Sequence, residues 1–326
     1  MTTNRTPSRT RRSGLRANAS LTRVIARTPA VAARPADATP AGVTGADPTS
    51  GWPPGPAGPR SHRRTWQPRR TRPTGPTGPT GRTLLGIWAH PDDEALLSGG
   101  LMAAFRRRGD RVVVVTATLG EHGTSDPGSW PPTRMARVRE RELQASLAAL
   151  GVTEHHLLGL TDGTCADAPH ELIVGHLARV IDAVEPDTIV TFGPDGMTGH
   201  EDHQTVSAWA TDAHALAAPD ARLLYATTTE EFAQAWEPSR DAFNVFLADG
   251  LPLRTPSHEL AVELRLDPDT VDRKIVALRA QASQTTGLFE ALGEERVRAW
   301  WSTETFVEAR TARARAQAFG TWRVAA

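Results

Sequence analysis

The chain has 326 residues, of which 39% are hydrophobic and 23% are charged, so it is long enough to bury a large core and too apolar for a wholly disordered protein. Its 37 basic and 37 acidic residues cancel to a net charge of zero, which over the whole chain argues against a nucleic-acid-binding protein. A single cysteine excludes a disulfide-stapled secreted scaffold, and no apolar run reaches the roughly 18 residues of a membrane-spanning helix.

The first 82 residues differ in composition from the rest of the chain. They contain 13 of the 25 prolines, 15 arginines and two acidic residues, a net charge of +13, whereas residues 83–326 carry −13. Proline removes backbone donors, and so few apolar side chains cannot offset the entropy that folding costs. We predict that residues 1–82 are a disordered tail and that residues 83–326 form one folded domain.

The start of the chain faintly resembles an export signal. Arg11 and Arg12 stand where a twin-arginine signal would have its arginines, but Arg23 and Arg27 interrupt the apolar stretch that such a signal needs. The lone cysteine, Cys165, is typical of a reducing compartment. We therefore predict a cytoplasmic protein.

From residue 83 onward, short apolar runs alternate with amphipathic stretches, the pattern of a β-α-β architecture. The predicted elements are strand 84–89, helix 94–108, strand 112–115, helix 133–150, strand 155–160, helix 171–184, strand 188–192, a helix from 201, strands 223–229 and 261–266, and helix 270–284. The β-branched run at 112–115 suits a strand that is buried on both faces. We predict a Rossmann-like α/β fold, with a mostly parallel sheet of five or more strands flanked by helices.

The predicted first strand leads into His90-Pro91-Asp92-Asp93-Glu94, and ligands of such sheets bind beyond the carboxyl ends of the strands. If a helix opens at this turn, His90 and Asp93 share one face while Asp92 points elsewhere, which separates a metal ligand from a base. Acidic residues at a helix start also complement the helix dipole. This cluster alone therefore leaves both a metal site and an ordinary helix start open.

A second cluster follows the predicted fourth strand. A glycine-rich loop leads there into Gly199-His200-Glu201-Asp202-His203, where two histidines stand three residues apart. Surface histidines are common in a chain that has 11. However, the two clusters together supply two nitrogens and one carboxylate, a set that leaves Zn²⁺ a fourth position for water. Two such clusters at two strand ends predict a catalytic metal site.

The two clusters resemble those of the LmbE-like, or PIG-L, family of zinc-dependent N-deacetylases. That family includes deacetylases of N-acetylglucosaminyl-phosphatidylinositol and of the glucosaminyl-inositol precursor of mycothiol. The resemblance extends in order over residues 83–310 and includes the segments 120–123, 139–142, 160–163, 274–284 and 304–306. It implies an LmbE-like deacetylase domain that binds one zinc ion per chain.

The resemblance also implies roles for individual residues. By motif position, His90, Asp93 and His203 bind zinc. Asp92 is the general base and acid, and His200 stabilises the tetrahedral oxyanion. These roles suit the residue types, because zinc lowers the pKa of its water to about 7 and a neighbouring carboxylate can then take the proton as water attacks an amide carbonyl.

Further residues have less specific assignments. Arg139 and Asp162 resemble positions that bind sugar or inositol hydroxyls in related deacetylases, although each could equally be an ordinary ion-pair partner. Asp202 is expected to orient a histidine from behind, and Glu94 either does the same or only starts the helix. Glu201 stands where the family usually has proline, and because both residues suit a first helical turn, we expect the ligand geometry to survive.

The sequence thus predicts a zinc-dependent hydrolase that removes acetyl from an N-acetylglucosamine-type amino sugar or its conjugate, a small-molecule substrate. A nearer alternative is an amidase that cleaves a larger amide conjugate of mycothiol type. A dehydrogenase is disfavoured because no G-x-G-x-x-G follows the first strand. A more distant alternative is a non-enzymatic binding module that acts through the basic tail. Lys274 is the only lysine, so arginine excess is general in this chain and no specific nucleic-acid partner is expected.

Overall fold

The computed structural model of the chain describes residues 81–240 and 252–309. The prediction that residues 1–82 are disordered therefore falls outside the described residues, apart from its last two positions. The last part of the predicted domain, residues 310–326, also lies outside them. The division of the chain at residue 83 stays a prediction.

The described residues contain one sheet of eight strands, flanked by helices. The strands are β1 (Thr83–Trp88), β2 (Arg111–Thr118), β3 (Glu154–Leu160), β4 (Thr188–Phe192), β5 (Arg222–Thr229), β6 (Arg254–Thr255), β7 (Val262–Arg265) and β8 (Thr303–Glu308). The helices are α1 (Asp93–Arg107), α2 (Pro132–Leu150), α3 (His170–Val184), α4 (Glu201–Ala217), α5 (Glu230–Arg240), α6 (Pro268–Ala280), α7 (Ala282–Leu292) and α8 (Glu294–Trp300). In the two described ranges, no helix combines the length and the apolar character that crossing a membrane requires.

The strand order in the sheet is β3-β2-β1-β4-β5-β8-β7, and β6 pairs with β5. Strands β1 to β5 run parallel to one another, whereas β8 runs antiparallel to β5 and β7 runs antiparallel to β8. The winding of the sheet reverses between β1 and β4, and a crevice for ligands forms at such a point beyond the carboxyl ends of the strands. This topology confirms the predicted Rossmann-like, mostly parallel sheet.

The central strands are buried on both faces, as continuous apolar runs are in parallel sheets. Every residue of β1 and β4 is buried, as are the last seven of β2. Trp88 and Phe192, the last residues of β1 and β4, are fully buried and pack edge to face with ring centroids 4.9 Å apart. Burial of one such side chain contributes about 1.5–3 kcal/mol. The backbone that leaves these two strand ends is therefore firmly anchored.

A buried ion pair ties the antiparallel end of the sheet to α1. Lys274 Nζ in α6 lies 2.6 Å from Glu304 Oε1 in β8, and the two side chains are 1% and 2% exposed. Glu304 accepts the backbone N–H groups of Gly100 and Leu101, each at 2.7 Å, and Lys274 donates to the carbonyl oxygen of Leu96 at 3.0 Å. The pair thus makes hydrogen bonds to backbone groups in the middle of α1. Such groups ordinarily bond only to other backbone groups of the same helix.

One predicted helix is two helices in the structure. The sequence predicts a helix over residues 270–284, but α6 ends at Ala280 and α7 begins at Ala282. Between them, Gln281 has φ −87° and ψ 43°, outside the helical range, and its side chain is fully buried. The prediction was wrong at this point because the spacing of apolar residues does not encode the tertiary contact that draws Gln281 inward.

Candidate metal centre

The two predicted clusters meet at the carboxyl ends of the neighbouring strands β1 and β4. The turn after β1 leads into α1, and the loop after β4 leads into α4. His90 from the first cluster faces His203 from the second, with His90 Nδ1 3.0 Å from His203 Nε2. Both residues are largely buried, at 7% and 8% exposure. Parallel pairing of β1 with β4 therefore joins two motifs that lie far apart in the sequence.

Two carboxylates hold the outward nitrogen of His90. His90 Nε2 lies 3.0 Å from Asp162 Oδ1 and 3.1 Å from Asp202 Oδ2. Asp202 is itself held by the backbone N–H groups of Gly163 and Cys165, which donate to it at 2.7 and 3.0 Å. Because carboxylates engage Nε2, the ring presents Nδ1 to His203.

The ring of His203 is held in the same manner by other groups. Its Nδ1 lies 2.9 Å from the carbonyl oxygen of Gly196, and its ring stacks on Phe192 with centroids 4.2 Å apart. The backbone of Gly196 has φ +66°, and a Cβ atom there would lie 2.9 Å from Cβ of His203. Glycine is therefore needed both for the turn and for the close approach. These contacts leave His203 Nε2 facing His90.

Asp93 adds a carboxylate beside the two imidazoles. Its Oδ1 lies 3.5 Å from His203 Nε2, and its Oδ2 lies 3.8 Å from His90 Nδ1 and accepts the backbone N–H of His90 at 2.8 Å. Zinc binds imidazole nitrogen and carboxylate oxygen at about 2.0–2.2 Å, so donors around a tetrahedral ion stand roughly 3.3–3.6 Å apart. One nitrogen each of His90, His200 and His203 lie within 4.8 Å of one another, which suits a divalent cation, whereas Asp93 presents a different oxygen to each of the two rings.

The protonation of the two imidazoles favours the same interpretation. The outer nitrogen of each ring lies beside oxygen acceptors, so each neutral ring directs a lone pair at the other. Burial opposes a charge on His90, but hydrogen bonds to Asp162 and Asp202 prevail and raise its pKa to about 10. Burial and the nearby His90 charge lower the pKa of His203 to about 3. Positive charge at this position is therefore favoured on His90 and opposed on His203.

His200 lies at the edge of this cluster. Its ring centroid is 4.9 Å from that of His90 and 5.0 Å from that of His203, and a ring nitrogen lies within 4.8 Å of nitrogens of both. As the N-cap residue of α4, His200 accepts the backbone N–H of Asp202 at Nδ1, at 3.2 Å. Its neutral ring therefore carries the proton on Nε2, which makes that nitrogen a hydrogen-bond donor.

Asp92 stands at the start of α1 in a strained backbone conformation. Its φ of 102° lies in the region that favours glycine, and such a conformation costs about 1–3 kcal/mol. Its Oδ2 lies 3.2 Å from a guanidinium nitrogen of Arg139, and its side chain is 17% exposed. Burial raises the pKa of Asp92 to about 6, although the Arg139 charge acts in the opposite direction. A carboxyl group that titrates near neutral pH can accept a proton and return it.

The structure buries both residues that were assigned to substrate. Arg139 is 4% exposed, and its guanidinium donates to the carbonyl oxygens of Gly120 and Pro91. Asp162 is 7% exposed and contacts His90. Both side chains thus hold other parts of the site, and a direct contact with substrate stays a prediction for each.

Glu94 makes its hydrogen bonds away from the histidines. It is fully buried, and its Oε2 accepts the backbone N–H of Asp92 at 2.9 Å. Its Oε1 accepts Oγ–H of Ser146 at 3.1 Å and Nε2–H of Gln281 at 2.8 Å. Burial raises the pKa of Glu94 to about 8. The bond to the Asp92 N–H is a helix-start contact, whereas the bonds to Ser146 and Gln281 belong to neither of the two roles that the sequence leaves open.

Sequence reasoning missed several residues that shape the site. Gly196 and Phe192 carried a signal, because one lies in the glycine-rich loop and the other ends an apolar run. Ser146 and Gln281 carried none, because a single polar residue at a helical position ordinarily faces solvent. Only the packing of distant elements shows that these two side chains point at Glu94.

Comparison with known proteins shows which family the chain resembles. The family described as PIG-L, GlcNAc-PI de-N-acetylase, matches residues 85–214, which include both clusters. A 1D-myo-inositol 2-acetamido-2-deoxy-alpha-D-glucopyranoside deacetylase from Actinosynnema mirum is 36% identical over 233 residues, covering 62% of this chain and 81% of that protein. A protein of the same name from Saccharomonospora viridis is 31% identical over 230 residues, covering 62% of this chain and 85% of the other.

Solved structures show the same fold. A deacetylase of teicoplanin biosynthesis, in complex with teicoplanin, is similar with a TM-score of 0.50 at 19% identity, covering 69% of this chain and 97% of that one. At such low identity the likeness concerns the fold alone. Together with the sequence relatives, it confirms the resemblance that the two clusters predict.

Proposed function

The chain belongs to the PIG-L family of de-N-acetylases, and from that premise we propose that it hydrolyses the acetamido group of an N-acetylglucosamine-type sugar or its conjugate. The observation that carries this proposal is that Nδ1 of His90 lies 3.0 Å from Nε2 of His203. The titratable carboxyl group of Asp92 stands beside this pair. The named activity of the two sequence relatives, on an inositol-linked acetamido sugar, supports the choice of substrate class.

The donor set supports one zinc ion per chain, held by His90, Asp93 and His203. Two imidazole nitrogens and a carboxylate are a ligand set typical of catalytic zinc. When bound, the metal supplies Lewis-acid polarisation of the amide carbonyl and makes water more acidic. The single cysteine supports the accompanying proposal of a cytoplasmic location.

In the proposed mechanism Asp92 moves the proton. Its carboxylate takes a proton from the water that attacks the amide carbonyl carbon, so that a C–O bond forms. Protonated Asp92 then returns that proton to the sugar nitrogen as the C–N bond breaks, which yields a free amine and acetic acid. The acid keeps the second proton of the water and loses it to solvent to give acetate. Burial raises the pKa of Asp92, which makes its carboxylate a stronger base for the first transfer.

His200 is proposed to donate a hydrogen bond to the oxyanion that forms on the carbonyl oxygen. Its Nδ1 is engaged by the Asp202 N–H, so Nε2–H is the group available for donation. Loss of one such donor typically costs about 2.7–4 kcal/mol of transition-state stabilisation.

The direct test is acetate release from a panel of N-acetylglucosaminides that includes an inositol-linked member and a larger thiol-conjugate amide. We expect zinc-loaded protein to release acetate, and Asp92→Asn to lower kcat by about 10²–10⁴-fold while it keeps its zinc. Metal analysis of both proteins supplies the control. Full activity in Asp92→Asn, or no acetate from any sugar in the panel, would contradict the proposal.

A further inference from the structure

Both polar groups of one peptide bond, the one between Pro91 and Asp92, are held by buried side chains. Arg139 donates to the carbonyl oxygen of Pro91. The N–H of Asp92 in the same peptide donates to Glu94 Oε2 at 2.9 Å. A peptide plane that is held at both ends cannot rotate freely, so these contacts oppose relaxation of Asp92 from its φ of 102°.

Glu94 is in turn fixed by a residue from the far end of the domain. Gln281 Nε2 donates to Glu94 Oε1 at 2.8 Å, and both side chains are fully buried. The backbone of Gln281 is anchored from α7, because its carbonyl oxygen accepts the N–H groups of Gln284 and Thr285 at 2.9 and 3.0 Å. The break between α6 and α7 thus places one amide group against the carboxyl group that holds Asp92.

An ordinary helix-start role explains only the bond from the Asp92 N–H. A glutamate that only complements the helix dipole stays in solvent near the first turn. Glu94 is fully buried and bonds Ser146 in α2 and Gln281 between α6 and α7. A buried carboxyl group with three specific partners is costly to place unless all of its contacts are made together.

We propose that Glu94 and Gln281 are positioning residues for Asp92. They hold the Pro91–Asp92 peptide in the orientation that directs the Asp92 carboxyl group at the reacting centre. The inference rests on the proposed function, since it takes Asp92 as the base. It assigns a role in turnover to Gln281, which lies outside residues 85–214 and contacts Asp92 only through Glu94.

The first experiment removes the Glu94 contact. Glu94→Ala should lower kcat by about 100-fold, the cost of a displacement of roughly 1 Å in a catalytic group, with KM and zinc content unchanged. Glu94→Gln should recover most of that loss. Its amide oxygen can accept the Asp92 N–H. Its NH₂ can donate to Gln281 Oε1 once the Gln281 amide turns over, because Nε2 of Gln281 faces this position and Oε1 has no hydrogen-bond partner in the structure.

The second experiment removes the contact between Gln281 and Glu94. Gln281→Met keeps the side-chain volume and removes the donor, and should lower kcat about fivefold, the worth of one hydrogen bond. In the Glu94→Ala background the same change should have no further effect on kcat, because Gln281 acts through Glu94.

Glu142→Ala is the matched control. Glu142 in α2 accepts the backbone N–H of Ser283 in α7 at 2.8 Å. This contact joins α2 to α7 close to Gln281 but does not touch Asp92. Its removal should leave kcat within about twofold, since such exposed contacts contribute little. If Glu94→Ala does not fold, the test is the kcat of Gln281→Met against that of Glu142→Ala, and the inference requires the larger loss in Gln281→Met.

Three results would overturn the inference. They are a normal kcat in Glu94→Ala, independent effects of the two substitutions in the double variant, and equal losses of kcat in Gln281→Met and Glu142→Ala. In each case an active wild type and an inactive Asp92→Asn leave the proposed function intact. A wild type that releases no acetate from any member of the panel overturns the proposed function, and this inference with it.

Discussion

Two regions of the molecule meet at α1, and they contribute to the site in different ways. The parallel region, β1 to β5 with their helices, supplies every candidate ligand and proton-transfer group, from His90 to His203. The antiparallel region, from β7 to β8, supplies no candidate ligand among the described residues. Its contribution is three buried polar side chains, Lys274, Gln281 and Glu304, which contact α1 or the carboxyl group of Glu94.

The comparison teaches where chemistry and support arise in this fold. Parallel strands deliver all their carboxyl ends to one edge, so short motifs at two neighbouring ends are enough to assemble a metal site. The antiparallel strands extend the sheet beyond β5 and bring α6 and α7 against α1 and α2. Gln281, at the break between α6 and α7, reaches the first turn of α1 through Glu94, and the proposed orientation of Asp92 depends on this contact.

The largest expected effect separates two histidines within the parallel region. His203→Ala should lose zinc and all measurable deacetylation, because it removes one of three ligands. His200→Ala should keep zinc and lose kcat by about 10²–10³-fold, because it removes an oxyanion donor. Metal analysis after dialysis, together with acetate release, distinguishes them. Equal zinc content in both variants and the wild type would reverse the assignments.

Next in size is a change of stability in the antiparallel region. Lys274→Met should lower the free energy of unfolding by about 3–5 kcal/mol, because the carboxylate of Glu304 is left buried without its cation. Combining it with Glu304→Gln should restore part of the loss. Urea unfolding measures both.

The control for that change breaks exposed ion pairs. Arg298→Ala breaks contacts with Asp272 and Glu294, whose side chains are 59% and 44% exposed, and should cost at most about 1 kcal/mol. The folded Lys274→Met protein should still bind zinc. If Lys274→Met lost as much zinc as His203→Ala, the antiparallel region would contribute to metal binding as well as to stability, and the distinction between the two regions would be wrong.

The smallest expected effect is the pH dependence of the reaction. Asp92 acts as a base only when ionised, and burial raises its pKa to about 6 in the metal-free protein. A bound cation favours the ionised form and moves this pKa downward. Activity should therefore fall as the pH decreases through 6 and below, by up to tenfold per pH unit. A pH–rate profile of kcat/KM on zinc-loaded protein measures this, and an acid limb centred above pH 7 would contradict it.

Much of the parallel region could be predicted from local patterns. The strand at residues 188–192 and the end of α2 at Leu150, directly before Gly151 with its φ of +78°, agree with the sequence-based prediction. The residue types at His90, Asp93, His200 and His203 also predicted a metal cluster before any distances were known. The orientation of each ring could not be predicted, because it depends on partners such as Asp162 and Gly196 that come from other strand ends.

The antiparallel region was less predictable. An apolar periodicity through residues 270–284 predicted one helix, but the contact of Gln281 with Glu94 favours a break. Lys274 and Glu304 stand 30 residues apart, and the sequence around each of them predicts an exposed charge. Their burial depends on pairing between β5, β8 and β7, which no short window of sequence contains.

By itself, the sequence determined the alternation of strands and helices, the parallel sheet and the residue types at two strand ends. Each of these follows from local propensity and from the short connections between consecutive elements. Only the tertiary structure decided which nitrogen of each histidine faces inward, that Arg139 and Asp162 are buried, and that Glu94 bonds the Asp92 peptide and Gln281. The physical reason is that hydrogen-bond partners of buried polar groups come from distant elements, so their positions depend on how those elements pack.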